Sequence, residues 1–116
     1  MPVTYSIKFD VVPERREEFL KLLTSVLDAM RLEPMFHEAI LHEEPASPFR
    51  FMLYETWESH EDVLDVQLAR PYRREWHASL GRILVRERDI TVWTPIRRDG
   101  IASYQAAPNG HHNVVL

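Results

Sequence analysis

With 116 residues this chain has the length of one domain, long enough to bury roughly two-thirds of its unfolded surface and hold a core without covalent staples. Its 45% hydrophobic and 28% charged content is that of a globular protein, and the absence of cysteine removes disulfides, thiolate metal sites and cysteine nucleophiles. The formal net charge of -4 and a pI near 5.8 argue against nucleic acid as a partner, because the chain lacks the clustered basic excess that phosphate backbones require.

The N-terminus MPVTYSIKFD has no basic segment followed by an apolar run. No stretch approaches the ~20 apolar residues that span a bilayer, so no membrane association and a cytoplasmic location are expected. Residues 3 to 11 alternate, with Val3, Tyr5, Ile7, Phe9 and Val11 apolar, which predicts a strand buried on one face. Pro13 suits a first helical turn, and Glu14, Glu17 and Glu18 place negative charge at the positive end of the helix dipole. Phe19, Leu20, Leu23, Val26, Leu27 and Met30 then recur at helical spacing until Pro34 disfavours helical geometry at Glu33.

Two extended segments follow, Phe36 to Glu43 and Phe49 to Glu58, and the prolines of Glu44-Pro45-Ala46-Ser47-Pro48 predict a moderately long hairpin connection. In the second segment Phe51, Leu53 and Trp57 share one face while Met52 and Tyr54 share the other, so neither face is written for water. Ser59 and Asp62 form a capping pattern that starts a short helix, which runs to Pro71. A second helical pattern covers residues 72 to 85 through Trp76, Leu80, Ile83 and Leu84, and the last strand is expected from Arg86 to Thr94.

Strand, helix, strand, strand, helix, strand is the order of a ferredoxin-like α+β domain, βαββαβ, with a four-stranded antiparallel sheet and helices on one face. The domain is expected over residues 1–97, with 98–116 as a tail that is partly disordered or packs on a partner subunit. The second sheet face needs a cover that a chain this short does not supply itself. A homodimer through that open face is the expectation.

With the elements in order, Arg31-x-Glu33-Pro34, Phe51-x-Leu53-Tyr54-Glu55-x-Trp57 and Pro71-Tyr72-x-x-x-Trp76 together resemble the antibiotic biosynthesis monooxygenase domain superfamily over residues 3 to 95. The resemblance implies dimeric α+β barrels, in which the open faces of two sheets pack together. It also implies activities that range from oxygenation of aromatic phenols and quinol oxidation to haem degradation and isomerisation of a phosphorylated sugar derivative. The chain departs from the pattern in having Met35 after Glu33-Pro34, where many members carry glycine, and Gln67 where many carry a helix histidine.

Cofactor-free oxygenation uses the substrate as the electron source: a dihydroxyaromatic loses a proton and the electron-rich anion reduces dioxygen. The protein supplies an apolar cavity, a base and donors for the anion, with no metal or flavin as cofactor. The resemblance assigns Trp57 to a cavity wall with an indole donor, against the plain alternative of a core tryptophan. Leu53, Glu55 and Trp57 should face Tyr72, Arg73, Trp76 and His77. These residues form the expected binding set, and Tyr72 or Arg73 would stabilise the anion.

His42 or His77 is the candidate base. His37 and His42, five apart, point to opposite faces of an ideal strand and so make no joint metal site. Glu55 on the buried face requires a partner, for which an arginine of the second helical segment is available. The haem branch pairs a histidine with an asparagine of the first strand, where this chain offers Thr4, Ser6 and Ile7. The expected ligand is therefore a quinol or related phenolic; the alternative function is a non-catalytic small-molecule-binding or stress-associated dimer of the same fold.

Overall fold

The structure, a computed structural model, describes residues 1–100. In chain order it contains β1 (Val3–Asp10), a 3-10 turn at Pro13–Arg15, α1 (Arg16–Met30), β2 (Phe36–Glu44), β3 (Ser47–Trp57) and α2 (His60–Asp65). Two further 3-10 turns, Gln67–Ala69 and Pro71–Arg73, lead to α3 (Arg74–Ile83) and β4 (Asp89–Trp93). The four strands form one antiparallel sheet in the order β2-β3-β1-β4, which is the ferredoxin-like arrangement. Residues 101–116, most of the expected tail, lie outside the described residues.

The period-two pattern of β1 decides which sheet face is covered. Val3, Tyr5, Ile7 and Phe9 are buried and pair in register with Trp57, Glu55, Leu53 and Phe51 of β3, so these eight side chains share the helix-facing side. Helix α1 lays Phe19, Leu23, Val26 and Met30 on them. At one end the rings interlock, with Phe19 4.9 Å from Phe51 and 5.1 Å from Phe9, and Trp76 of α3 edge-on to Phe9 at 5.8 Å. Helices α1 and α3 are also tied at the surface by an ion pair between Glu18 and Arg82.

Four boundaries differ from those expected. The first helical turn is 3-10 and the α-helix stops at Met30, because the amides of Arg31, Leu32 and Glu33 already close onto Leu27, Ala29 and Met30 in tightening turns ahead of Pro34. The β2–β3 hairpin is tight rather than long: Glu44 pairs with Ser47, leaving Pro45 and Ala46 as the turn. Pro48 is tolerated because it stands at the start of its strand, and its carbonyl accepts from Arg16 Nε at 2.8 Å. Strand β4 begins at Asp89 rather than Arg86, since Leu84 and Val85 are held against Val11 and Asp10 and the chain must still turn into the sheet.

Among the described residues the opposite face of the sheet is only partly covered: Thr4 and Thr56 are buried on it and Arg98 reaches Glu38 of β2 at 3.0 Å, but no helix packs there. Ile40, Tyr54 and Trp93 remain 47%, 39% and 59% exposed on it, and the alternation expected for β4 holds, with Ile90 and Val92 on the helix side. Among the described residues no helix is long and apolar enough to cross a membrane.

Candidate functional site

Between the helix-facing side of the sheet and helices α1, α2 and α3 lies a cavity of about 240 Å³. Its walls are mainly apolar, contributed by Ile7, Leu53, Leu23, Val26, Met30 and Trp76, and six polar side chains converge on it: Tyr5, Glu55, His60, Arg73, His77 and Arg88. An apolar chamber with a few convergent polar groups is the general form of a small-molecule site.

Local sequence explains each placement. Tyr5 and Glu55 are direct cross-strand partners, so the pairing of β1 with β3 sets phenol and carboxyl side by side. His60 opens α2, whose start is fixed by Ser59 Oγ accepting from the Asp62 amide at 3.1 Å. Arg73 closes the 3-10 turn that Pro71 begins, its amide donating to the Arg70 carbonyl at 3.0 Å. Glu33 anchors that turn from across the domain, accepting from Arg70 Nε and Nη2 at 3.0 and 3.2 Å and from the Tyr72 hydroxyl at 3.2 Å. The Glu33-Pro34 motif at the end of α1 therefore positions the segment that delivers Arg73.

The site is unevenly charged. Arg73 is only 6% exposed, and among the described residues its Nε and Nη2 have no hydrogen-bond partner. Its guanidinium lies over the rings of Trp57 and Tyr72, at 5.8 and 5.6 Å from their centroids. Glu55, also 6% exposed, makes no ion pair among the described residues. Burial pushes its carboxyl above the ordinary range, opposed by the charge of Arg73, by the nearby Trp57 indole and by Arg88. That indole bears on the carboxyl without closing a hydrogen bond of full geometry, for among the described residues Trp57 Nε1 has no partner.

Burial and the Glu55 charge together hold the Tyr5 phenol above its usual value, and its hydroxyl is hydrogen-bonded to His60 Nδ1 at 2.7 Å. Burial, then Arg88 and Arg73, depress His77, which favours its neutral and basic form. Arg88 is itself lowered by burial and the neighbouring Arg73, with Glu55 opposing. Among the described residues no group of three His, Asp or Glu side chains converges as a metal site.

Of the residues singled out from sequence, Leu53, Glu55, Arg73, Trp76 and His77 line the cavity. Trp57 and Tyr72 stand behind it: Trp57 is fully buried against Phe36 and Arg73, and Tyr72 turns its hydroxyl to Glu33. His42 lies on the other side of the sheet, since its partner in register is Met52, and it does not reach the cavity. The alternation of β2 shifts at an irregularity between Phe36 and Glu38, which leaves His37 at the strand end, 3.0 Å from Glu58. The partner anticipated for Glu55 is near but not bonded, because Arg73 spends its position over two rings.

Sequence reasoning passed over Tyr5 and His60. Tyr5 was legible in principle as an inward, polar-tipped residue of an alternating strand, whereas nothing in the pattern brings His60 to it across 55 positions. Arg88 lies in the connection between α3 and β4, where no periodicity marks it. Gln67, at the place of the missing histidine, is 1% exposed, donates to Asp62 at 3.1 Å and leaves Oε1 unpartnered.

Fold and cavity together define a ferredoxin-like α+β domain that shelters a small apolar chamber between its sheet and its helices. The family model described as antibiotic biosynthesis monooxygenase matches residues 2–79, and the chain belongs to that family. A relative from Pestalotiopsis microspora, provisionally named a monooxygenase, is 26% identical over 93 residues, covering 79% of this chain and 78% of its own length. Rv0793 from Mycobacterium tuberculosis shares the fold with a TM-score of 0.77 at 24% identity, over 86% of this chain and 100% of that one. SnoaB, a cofactor-independent oxygenase from Streptomyces nogalater solved as a point mutant, has a TM-score of 0.71 at 18% identity, over 84% of this chain and 95% of that one.

Proposed function

We propose that this protein is a cofactor-independent monooxygenase of a small phenolic, of the quinol type, and that it works as a homodimer closed over the sheet face opposite the helices. The observation that carries the reading is the meeting of His77 and Glu55 with Arg73 and Arg88 around one apolar chamber. His77, held toward its neutral form, takes the phenolic proton. The arginines stabilise the phenolate as it forms, in surroundings where few waters compete for their charge. The anion then gives electrons to dioxygen; one oxygen atom enters the ring and the other leaves as water, the substrate supplying every electron that oxygen takes. SnoaB, described as a cofactor-independent oxygenase of the same fold, supports this chemistry.

A non-catalytic binding dimer is the second reading. Gln67 favours it, since a neutral amide committed to Asp62 cannot serve as the base that a histidine there would be. Oxygen consumption by metal-free protein with a panel of hydroquinones, against an anaerobic control, decides between them. Turnover that depends on oxygen and falls in His77→Gln supports the enzyme. Saturable binding with no oxygen uptake from any of them overturns it.

A further inference from the structure

We propose that the ligand of this cavity is a one-ring aromatic carboxylate, its ring among Leu23, Val26, Met30 and Leu53 and its carboxylate held by Arg73 and Arg88. The inference deepens the proposed function and rests on the same cavity being the ligand site.

Charge is the first argument. Arg73 is 6% exposed; among the described residues it makes no ion pair and its Nε and Nη2 have no hydrogen-bond partner, so its contacts over the Trp57 and Tyr72 rings leave two buried N–H donors unmet. Arg88 lines the same chamber. Against these two cations stands only Glu55, and its burial disfavours its charged form. A phenolate formed during turnover would balance one arginine. The second calls for an anion that arrives with the ligand.

The identity of that anion follows from titration and geometry. A carboxylic acid with a pKa near ~4 is ionised at neutral pH, whereas a phenol near ~10 is not, so only the carboxylate enters as a permanent charge. Planar guanidinium donors match a planar carboxylate, and the Arg70–Glu33 fork a few residues away shows the chain already using that pairing.

Volume limits the ring system. A cavity of ~150 Å³ is enough for benzene, and about 240 Å³ therefore holds one substituted ring within its walls. Ligand and arginines thus specify a benzoate bearing hydroxyl groups.

Isothermal titration of the full chain with benzoate and with its neutral isostere benzamide tests this without any turnover. Benzoate is expected to bind at least tenfold more tightly than benzamide. Arg88→Gln, at a partly buried residue of the α3–β4 connection, and Arg73→Gln should each lose that preference, with circular dichroism showing each variant folded. Equal binding of benzoate and benzamide, binding of neither, or an unchanged preference in Arg88→Gln overturns the proposal. Benzoate binding without oxygen uptake from 2,5-dihydroxybenzoate or hydroquinone removes the oxygenase reading and leaves this one. Hydroquinone turnover without benzoate binding does the reverse.

Discussion

The Tyr5 hydroxyl and His60 Nδ1 stand 2.7 Å apart, joining the middle of β1 to the first turn of α2. Tyr5 is 6% exposed while His60 lies at the surface, so the pair links the cavity to solvent through one hydrogen bond. Under the proposed function, a proton taken up inside would reach water through this pair. Tyr5→Phe and His60→Ala should each lower turnover by about 10²-fold, the low end for a positioned acid–base group. The double variant should lose no more than either single one, because both interrupt the same link. Independent, multiplying losses in steady-state assays would show that the two residues do not act together.

How far the sequence could be read depends on how local each feature is. The alternation of β1, the helical spacing of Phe19 to Met30 and the Ser59 cap are each written within a few residues, and the elements they predict are present. The strand faces of Phe51, Leu53 and Tyr54 were equally legible, because period two leaves no choice once one residue is placed inward. His42 went astray for a related reason. The side to which β2 turns its histidine is fixed by register against β3, which a single strand does not state. Tyr5–His60 and Glu33–Arg70 join residues 55 and 37 positions apart, and such links follow from tertiary packing alone.

Glu33 should matter more to the site than its distance from the cavity suggests. Its side chain is 11% exposed and takes three hydrogen bonds from Arg70 and Tyr72, which fix the turn ending in Arg73. Glu33→Ala leaves Arg70 without its carboxylate and is expected to cost about 2 kcal/mol, in the range of charged hydrogen bonds. Urea denaturation measures the loss. Ligand affinity should fall with it, whereas a destabilised variant with unchanged affinity would detach Glu33 from the placement of Arg73.

Trp57 is core before it is wall. It is fully buried and edge-on to Phe36 at 5.2 Å, and its indole N–H is unpartnered. Trp57→Ala should therefore destabilise by about 3–5 kcal/mol. Trp57→Phe keeps a ring and forfeits no hydrogen bond, and should cost less than half as much in the same unfolding experiment. A loss as large as that of alanine would mean that the indole nitrogen has a partner in solution.

The sheet face opposite the helices predicts the oligomer. Ile40, Tyr54 and Trp93 present apolar area there, and Tyr54 pairs with both Ile40 and Ser6 at its centre. Placing a charge at that centre should be tolerated by the protomer and opposed by a subunit packed against it. Tyr54→Lys is expected to convert a dimer to a monomer in sedimentation velocity while leaving the circular dichroism spectrum unchanged. A wild-type protein that sediments as a monomer at all concentrations would remove the dimer from the proposed function.

Two cavity groups should shape the pH dependence of stability from opposite sides. Glu55 keeps its proton in the folded state to higher pH than the ordinary value of 4.5, so its contribution is full below that value and is lost as pH rises through the raised one. His77 titrates below the ordinary 6.5 when folded, so its contribution is full above that value and is lost as pH falls through the lowered one. Glu55→Gln reproduces the shape of the protonated side chain and removes the alkaline loss. Urea midpoints should accordingly be higher for Glu55→Gln than for wild type at ~pH 8 and converge toward ~pH 4, where the native carboxyl is protonated as well. His77→Gln should in turn soften the decline on the acid side. A Glu55→Gln variant less stable than wild type at alkaline pH would show that the carboxylate is ionised and satisfied by Arg73 and Arg88, and that burial is not what governs it.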